Sequence, residues 1–170
     1  MIEYEEWQRQ LRSLYGSQIF QNWALCQEIR LVDDKNAVFL CLKPTHKLQE
    51  SAKIIENKSL DHIELYLTYS KIYSEPLLLL RIWEEKSSED ILMTRLMFPC
   101  KVESLLGVEG KFQLGLDTFI DIGNTAWYSF HPCDTSSIVG DQEAFRPTYL
   151  RRWTSIFVFS WLGYEDCSYT

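Results

Sequence analysis

The apolar positions change period twice along the chain. Near the start they recur every three to four residues. Tyr4, Trp7, Leu11, Leu14 and Tyr15 share one face while Glu5, Glu6, Arg9 and Arg12 take the other, which predicts an amphipathic helix over 3–19 with Gly16 as a candidate stop. The period then drops to two. Val38, Leu40 and Leu42 alternate with Phe39, Cys41 and Lys43, and Asp33-Asp34-Lys35-Asn36 is turn chemistry, so 27–32 and 37–43 read as a hairpin. Residues 44–60 are polar and aperiodic and are expected to form a long loop. Alternation resumes over 63–69, Ser74-Glu75-Pro76 interrupts it, and 77–83 is a continuous apolar run of the kind found in a central strand buried on both faces. Segments 61–73 and 77–86 thus pair as an antiparallel hairpin with Tyr73 near the turn. A charged tip follows over 84–90, and 92–98 offers a return strand. Residues 101–110 carry no decisive period. Phe112, Leu114, Leu116, Thr118 and Ile120 alternate again, and Gly123-Asn124 is a two-residue hairpin turn that joins 112–122 to 125–130. Finally Phe145, Tyr149, Trp153, Ile156, Phe157 and Trp161 restore the helical spacing, with a start near Asp141 or Pro147 and a stop at Gly163. A helix, a series of antiparallel strands and a closing helix make one α+β domain over 1–170, with helices on one side of the sheet.

The chain has 170 residues, 46% apolar and 14% aromatic, enough for a packed core without staples. Net charge is -7 and the pI about 5.0. There is no basic stripe, and the adjacent pair Arg151-Arg152 falls in the closing helix, so nucleic-acid binding is not expected. An acidic chain of this kind is suited to meeting other proteins. The N-terminus lacks a secretory pattern, and the longest strongly apolar stretch, around 156–162, is too short to cross a bilayer. Five cysteines, at 26, 41, 100, 133 and 167, form no Cys-x-x-Cys pair. Reduced thiols in a cytoplasmic protein are the expectation, with no direct membrane insertion.

One cysteine stands apart. The aromatic stretch Trp127-Tyr128-Ser129-Phe130 runs into His131-Pro132-Cys133-Asp134-Thr135, and the proline ends regular structure just before the thiol. A neighbouring imidazolium at His131 favours the thiolate, whereas the carboxylate of Asp134 opposes it, so Cys133 reads as a moderately activated nucleophile. Cys26, Cys41 and Cys100 read as packing residues, and Cys167 as an exposed thiol without partner chemistry. The glycines and arginine of a cysteine-phosphatase loop do not follow Cys133. No protease signature surrounds His46, His62 or His131, and no second His/Cys cluster completes a zinc site. A moderately activated, presented thiol suits acyl carriage as a thioester, from which a lysine amine can take the acyl group. A non-catalytic adaptor that binds a ubiquitin-like protein and a thiol hydrolase are the alternatives.

The segments Glu64-Leu65-Tyr66-Leu67-Thr68-Tyr69-Ser70-Lys71, 77–83, Lys111-Phe112-Gln113-Leu114-Gly115-Leu116-Asp117-Thr118, His131-Pro132-Cys133-Asp134-Thr135 and Tyr149-Leu150-Arg151-Arg152-Trp153 resemble the ubiquitin-conjugating-like enzymes of autophagy over nearly the whole chain. The His-Pro-Cys site occurs in both branches of that family. The longer matches favour the branch that does not serve the lipid-linked modifier. The resemblance implies a ubiquitin-conjugating-enzyme-like fold with extra strands before the cysteine. It implies that Cys133 receives the C-terminal glycine of the ubiquitin-like autophagy modifier twelve from the activating enzyme, autophagy-related protein seven. That glycine then passes to a lysine of autophagy-related protein five. No metal or organic cofactor is implied, and recruitment to the pre-autophagosomal structure would come through partners. General ubiquitin-conjugating enzymes place His-Pro-Asn several residues before the cysteine, and the asparagine supports the developing oxyanion. Here His131-Pro132 abuts Cys133 and no such asparagine precedes it. His131 and Tyr73 are the expected substitutes, with Asp134 as the group that helps deprotonate the attacking lysine and Thr135 as a weaker polar candidate.

Overall fold

The computed structural model describes residues 2–88, 91–119, 122–130, 135–140 and 146–163. Helix α1, Tyr4–Gly16, buries Trp7, Leu11 and Leu14, one stripe at helical spacing, and leaves Arg9 and Arg12 in solvent. Strands β1, Cys26–Val32, and β2, Ala37–Leu42, form the expected hairpin. Its turn closes through Asn36 in the left-handed region, where an asparagine is tolerated. The Asn36 carbonyl accepts from Trp7 Nε1 at 3.1 Å, and its side-chain amide donates to the Tyr4 hydroxyl at 2.9 Å, which fastens this hairpin to α1.

Residues 44–60 are not a loop. Helix α2, His46–Glu56, occupies most of them. Thr45 caps it, its hydroxyl accepting from the Leu48 amide at 3.1 Å. The helix buries Leu48 and Ala52, one turn apart, while Ile54 is 83% exposed. Two buried positions plus an apolar residue on the wrong face left no readable period. Gln49 then bonds both main-chain groups of Leu60, its amide donating to the carbonyl at 2.6 Å and its oxygen accepting from the N–H at 3.0 Å. This satisfies the backbone where the next strand departs from regular pairing between Leu60 and Ile63.

Strand β3, Ser59–Ser70, starts and stops earlier than the expected 61–73, and β4, Glu75–Ser88, extends beyond the expected 77–86 at both ends. Pro76 does not break the chain; it is the second residue of β4, opposite Tyr69. The turn lies earlier, over 71–74, with Ser74 at φ 53°. The charged segment from 84 to 88 is likewise strand rather than tip, paired with β5, Ile91–Met97. Glu84 is buried there between Arg95 and Lys58, the latter at 3.3 Å, so its charge is compensated. The short helix α3, Val102–Leu106, occupies the stretch that carried no period. Strands β6, Leu114–Phe119, and β7, Thr125–Phe130, pair as expected, but Phe119 faces Thr125, so the connection is five residues rather than a two-residue Gly-Asn turn. Helix α4, Thr135–Val139, follows. The closing helix, α5, enters through a 3-10 turn at Arg146–Thr148, runs as Tyr149–Thr154, widens to a π segment at Ser155–Phe159 and ends as Ser160–Leu162. Gly163 at φ 76° stops it, and Trp23 Nε1 donates to the Gly163 carbonyl at 2.8 Å. The candidate start at Asp141 and the face residue Phe145 lie outside the described residues.

The sheet runs β1-β2-β3-β4-β7-β6, with β5 on the far half of β4. Every described helix packs on one face, where Leu78, Leu80 and Ile82 of β4 meet Trp7, Leu48, Leu105, Val139 and Trp153 in one core. The opposite face carries a smaller cluster of Ala37, Phe39, Tyr66, Leu79 and Trp127, all from strands. It is closed by guanidinium groups: Arg81 lies 4.0 Å above the Trp127 ring and Arg30 4.5 Å above Phe39. The 77–83 run therefore does sit in a central strand, and the alternation within it divides between two cores.

Replacing Leu80 by alanine is expected to cost about 2–5 kcal/mol, because the site is closed on all sides and cannot collapse freely. Thr45→Ala is expected to cost about 1 kcal/mol through loss of the α2 cap. Urea unfolding of the two variants measures both, and an unchanged midpoint for Thr45→Ala would contradict a capped α2.

Candidate active site

The turn that carries Tyr73 and the exit of β7 lie at one end of the sheet. The pair Leu79↔Ser129 aligns β4 with β7 in antiparallel sense, so the start of β4 and the end of β7 lie at the same end. One step past Ser129 is Phe130, the last residue of β7. Four steps back from Leu79 is Glu75, and before it the 71–74 turn that carries Tyr73. Of the four residues chosen from the sequence, Tyr73 is thus placed in an exposed turn, 41% accessible, at the end where β7 exits. His131, Cys133 and Asp134 lie outside the described residues, between Phe130 and Thr135, both of which are buried.

The turn bearing Tyr73 is clamped from two sides. On one side the Ile2 amide donates to the Ser74 carbonyl at 2.7 Å, and the Tyr69 hydroxyl donates to the Ile2 carbonyl at 2.7 Å. On the other, Glu75 is 3% exposed and its Oε2 accepts from the Tyr149 hydroxyl at 2.7 Å. Burial, reinforced by this carboxylate, pushes the Tyr149 phenol far above its ordinary range, so it remains a donor. Helix α5 also reaches the other flank: Arg152 donates through Nε and Nη2 to the Val139 carbonyl of α4 at 3.3 and 2.9 Å. The start of α5 is anchored to α1 by Gln10, whose side-chain oxygen accepts from the Leu150 amide at 2.8 Å and whose amide donates to the Arg146 carbonyl.

None of these polar contacts was legible in the sequence. Gln10 and Leu150 are 140 residues apart, Glu75 and Tyr149 are 74 apart, and no local spacing marks either pair. The available signal was a carboxylate and an amide at positions the surrounding pattern buries, since such groups need partners.

The remaining described cysteines divide. Burial raises the Cys26 thiol, and burial with the nearby Glu64 carboxylate pushes Cys41 up to about 11. Both are strand thiols, as the packing reading expects. Cys100 does not fit that reading: it is exposed beyond β5, with its amide donating to Glu56 Oε1 at 3.1 Å. Among the described residues no His, Cys, Asp and Glu group could hold a metal, and no helix is long and apolar enough to cross a membrane.

Residues 8–165 match the family described as autophagocytosis associated protein, active-site domain. The chain is 68% identical over 166 residues to the ubiquitin-like-conjugating enzyme ATG10 of Saccharomyces cerevisiae strain S288c, covering 98% of this chain and 99% of the relative. The ATG10 of Candida glabrata is 43% identical over 102 residues, covering 57% of this chain and 64% of the relative. Among solved structures, the crystal structure of the autophagic E2 Atg10 superposes with a TM-score of 0.78 at 64% identity, covering 97% of this chain and 99% of that one. The solution structures of KmAtg10 share the fold, with a TM-score of 0.65 at 23% identity. An antiparallel sheet with its helices on one face, a conjugating-enzyme architecture and a match that runs nearly end to end agree: the chain belongs to the Atg10 family of autophagic ubiquitin-like-conjugating enzymes.

Proposed function

We propose that Cys133 carries the C-terminal glycine of the ubiquitin-like autophagy modifier twelve as a thioester and delivers it to a lysine of autophagy-related protein five. In the loading step the Cys133 thiolate attacks the thioester carbonyl held by autophagy-related protein seven. A new carbon–sulfur bond forms as the old one breaks, and the activating enzyme's thiolate leaves. In the transfer step the lysine amine attacks the same carbonyl. The carbon–nitrogen bond forms, the carbon–sulfur bond to Cys133 breaks, and the amine's surplus proton passes to Asp134. ATP is consumed upstream, so no cofactor is assigned to this chain. The reaction is assigned to the cytoplasm, with partners bringing the protein to the pre-autophagosomal structure.

The observation that carries this reading is the strand register. The Leu79↔Ser129 pair brings the Tyr73 turn to the end of the sheet where β7 leaves, and Cys133 is three residues past Phe130, a chain length of about 11 Å at most. A phenol from the adjacent turn can then donate to the developing oxyanion, which the missing asparagine would otherwise support, and His131 supplies a second donor. The overall family activity supports the chemistry, while the modifier and target come from the sequence resemblance.

Loading with activating enzyme, ATP and modifier twelve is expected to give a reductant-sensitive adduct that Cys133→Ala abolishes. Cys133→Ser should give a longer-lived oxyester. Tyr73→Ala and His131→Ala are each expected to load normally and to slow transfer to lysine by about tenfold or more. If both transfer at the parental rate, the assignment of these donors is wrong; if the modifier does not load, the substrate assignment is wrong. A second check uses the thiols themselves. Cys41 sits about two pH units above the ordinary value of 9.0, which makes its thiolate fraction near neutrality about 100-fold smaller. Iodoacetamide at neutral pH should therefore label Cys133 well before Cys41, as read by peptide mass spectrometry, and preferential labelling of Cys41 would contradict its half-buried setting beside Glu64.

A further inference from the structure

Helix α5 makes polar bonds both to the start of β4 and to the end of α4. Tyr149 bonds Glu75, which directly follows the turn bearing Tyr73, and one helical turn on, Arg152 bonds Val139 at the end of α4, which follows the segment 131–134. Glu75 lies four residues before Leu79, whose partner Ser129 is the last residue but one of β7. A carboxylate that is 3% exposed and a phenol that is 0% exposed are costly to bury, and a hydrophobic pair of similar size would fill the same space. The other buried strand carboxylate, Glu84, has a plain structural reason, since Lys58 and Arg95 converge on it to tie β5 to the sheet. The Glu75–Tyr149 bond instead joins the first residue of β4 to the first residue of the helical stretch Tyr149–Thr154.

We propose that the Tyr149–Glu75 hydrogen bond is a strut that fixes the Tyr73 turn against α5, which makes Tyr149 and Glu75 positioning residues for the transfer step. The inference rests on the role given to Tyr73 above. The directional bond does what apolar packing does not: it sets where β4 begins relative to α5, and α5 in turn holds α4 through Arg152. The Ile2–Ser74 bond restrains the same turn at its last residue, next to Glu75. The phenol stays protonated through the working pH range because burial and the carboxylate both oppose its ionisation, so it remains the donor of the bond.

The test separates loading from transfer. Tyr149→Phe removes one oxygen and keeps the ring, and is expected to load with modifier at the parental rate. Discharge of the loaded enzyme to free lysine should then slow by about tenfold, the scale expected when a catalytic group is displaced by a fraction of an ångström to an ångström. Glu75→Gln, which keeps an acceptor oxygen for the phenol, should retain at least about half of the parental discharge rate. In a Tyr73→Ala background, Tyr149→Phe should cause no further loss, because the strut acts through Tyr73. A merely structural bond would lower loading and discharge together and would add to the Tyr73 defect, and either result overturns the inference. So does a silent Tyr149→Phe in an enzyme where Tyr73→Ala is slow, which would remove the strut and leave the role of Tyr73 standing. An inert Tyr73→Ala would remove that role and the strut with it. A Glu75→Gln variant as slow as Tyr149→Phe would show that the charge of Glu75, and not its bond to the phenol, is what transfer requires, which also overturns the inference. Circular dichroism melts of each variant confirm that the folded enzyme is what is being assayed.

Discussion

Strand β4 is the constraint on which the molecule is organised. It pairs with β3 over nearly its whole length, with β7 through Leu79 and Leu80, and with β5 from Ile82 onward. It is buried on both faces, sending Leu78, Leu80 and Ile82 to the helices and Leu79 to the aromatic cluster of the other side. A slip of one residue would exchange these sets and push Arg81 into the main core, so the register admits little error. Because the register is fixed, so is the relation between the turn at the start of β4 and the exit of β7. That relation is a consequence of burying leucines.

The two faces of the sheet solve the problem of apolar burial differently, and the difference bears on where chemistry can occur. The helical face is closed by five described helices and a continuous core. The outer face has no described helix on it, yet Phe39 and Trp127 are buried because Arg30 and Arg81 lie across them and Arg81 is held in turn by the Ala126 carbonyl at 3.0 Å and by Glu64 at 3.6 Å. Covered faces leave the sheet's end, where strands stop and turns begin, as the natural place to present side chains to another protein.

The sequence was most informative where burial is one-sided and regular. The faces of α1, the two hairpins of the sheet and the double burial of 77–83 follow directly from apolar spacing, as does the stop at Gly163. It was least informative where few apolar residues are buried. Helix α2 hides only Leu48 and Ala52 and is defined at its start by Thr45, a capping signal that an aperiodic stretch concealed. The charged segment after Trp83 looked like a solvated tip because a salt-bridged carboxylate and an exposed one are the same letter. At the site, Cys133 and its neighbours were conspicuous through a proline and a histidine, and Tyr73 through its place near a turn. Glu75, Tyr149, Arg152 and Gln10 were invisible because each acts through a partner far along the chain.

That invisibility follows from the chemistry the chain lacks. An asparagine a few residues before the cysteine would be placed largely by local backbone, and little else would need to be specified. In the reaction proposed here the supporting donor is Tyr73, 60 residues before Cys133, in the turn between β3 and β4. A donor brought from that distance is positioned only as well as the two strands are held together, and the described β4–β7 pairing consists of just Leu79↔Ser129 and Leu80↔Tyr128. Two ladder positions are a short lever for a group that must act at hydrogen-bond range. Replacing a local donor with a remote one therefore moves the demand for precision from sequence spacing to tertiary contacts. The buried bond from α5 to the first residue of β4 lies where that demand is greatest, and a polar bond suits it because its directionality fixes a distance that leucine packing leaves adjustable.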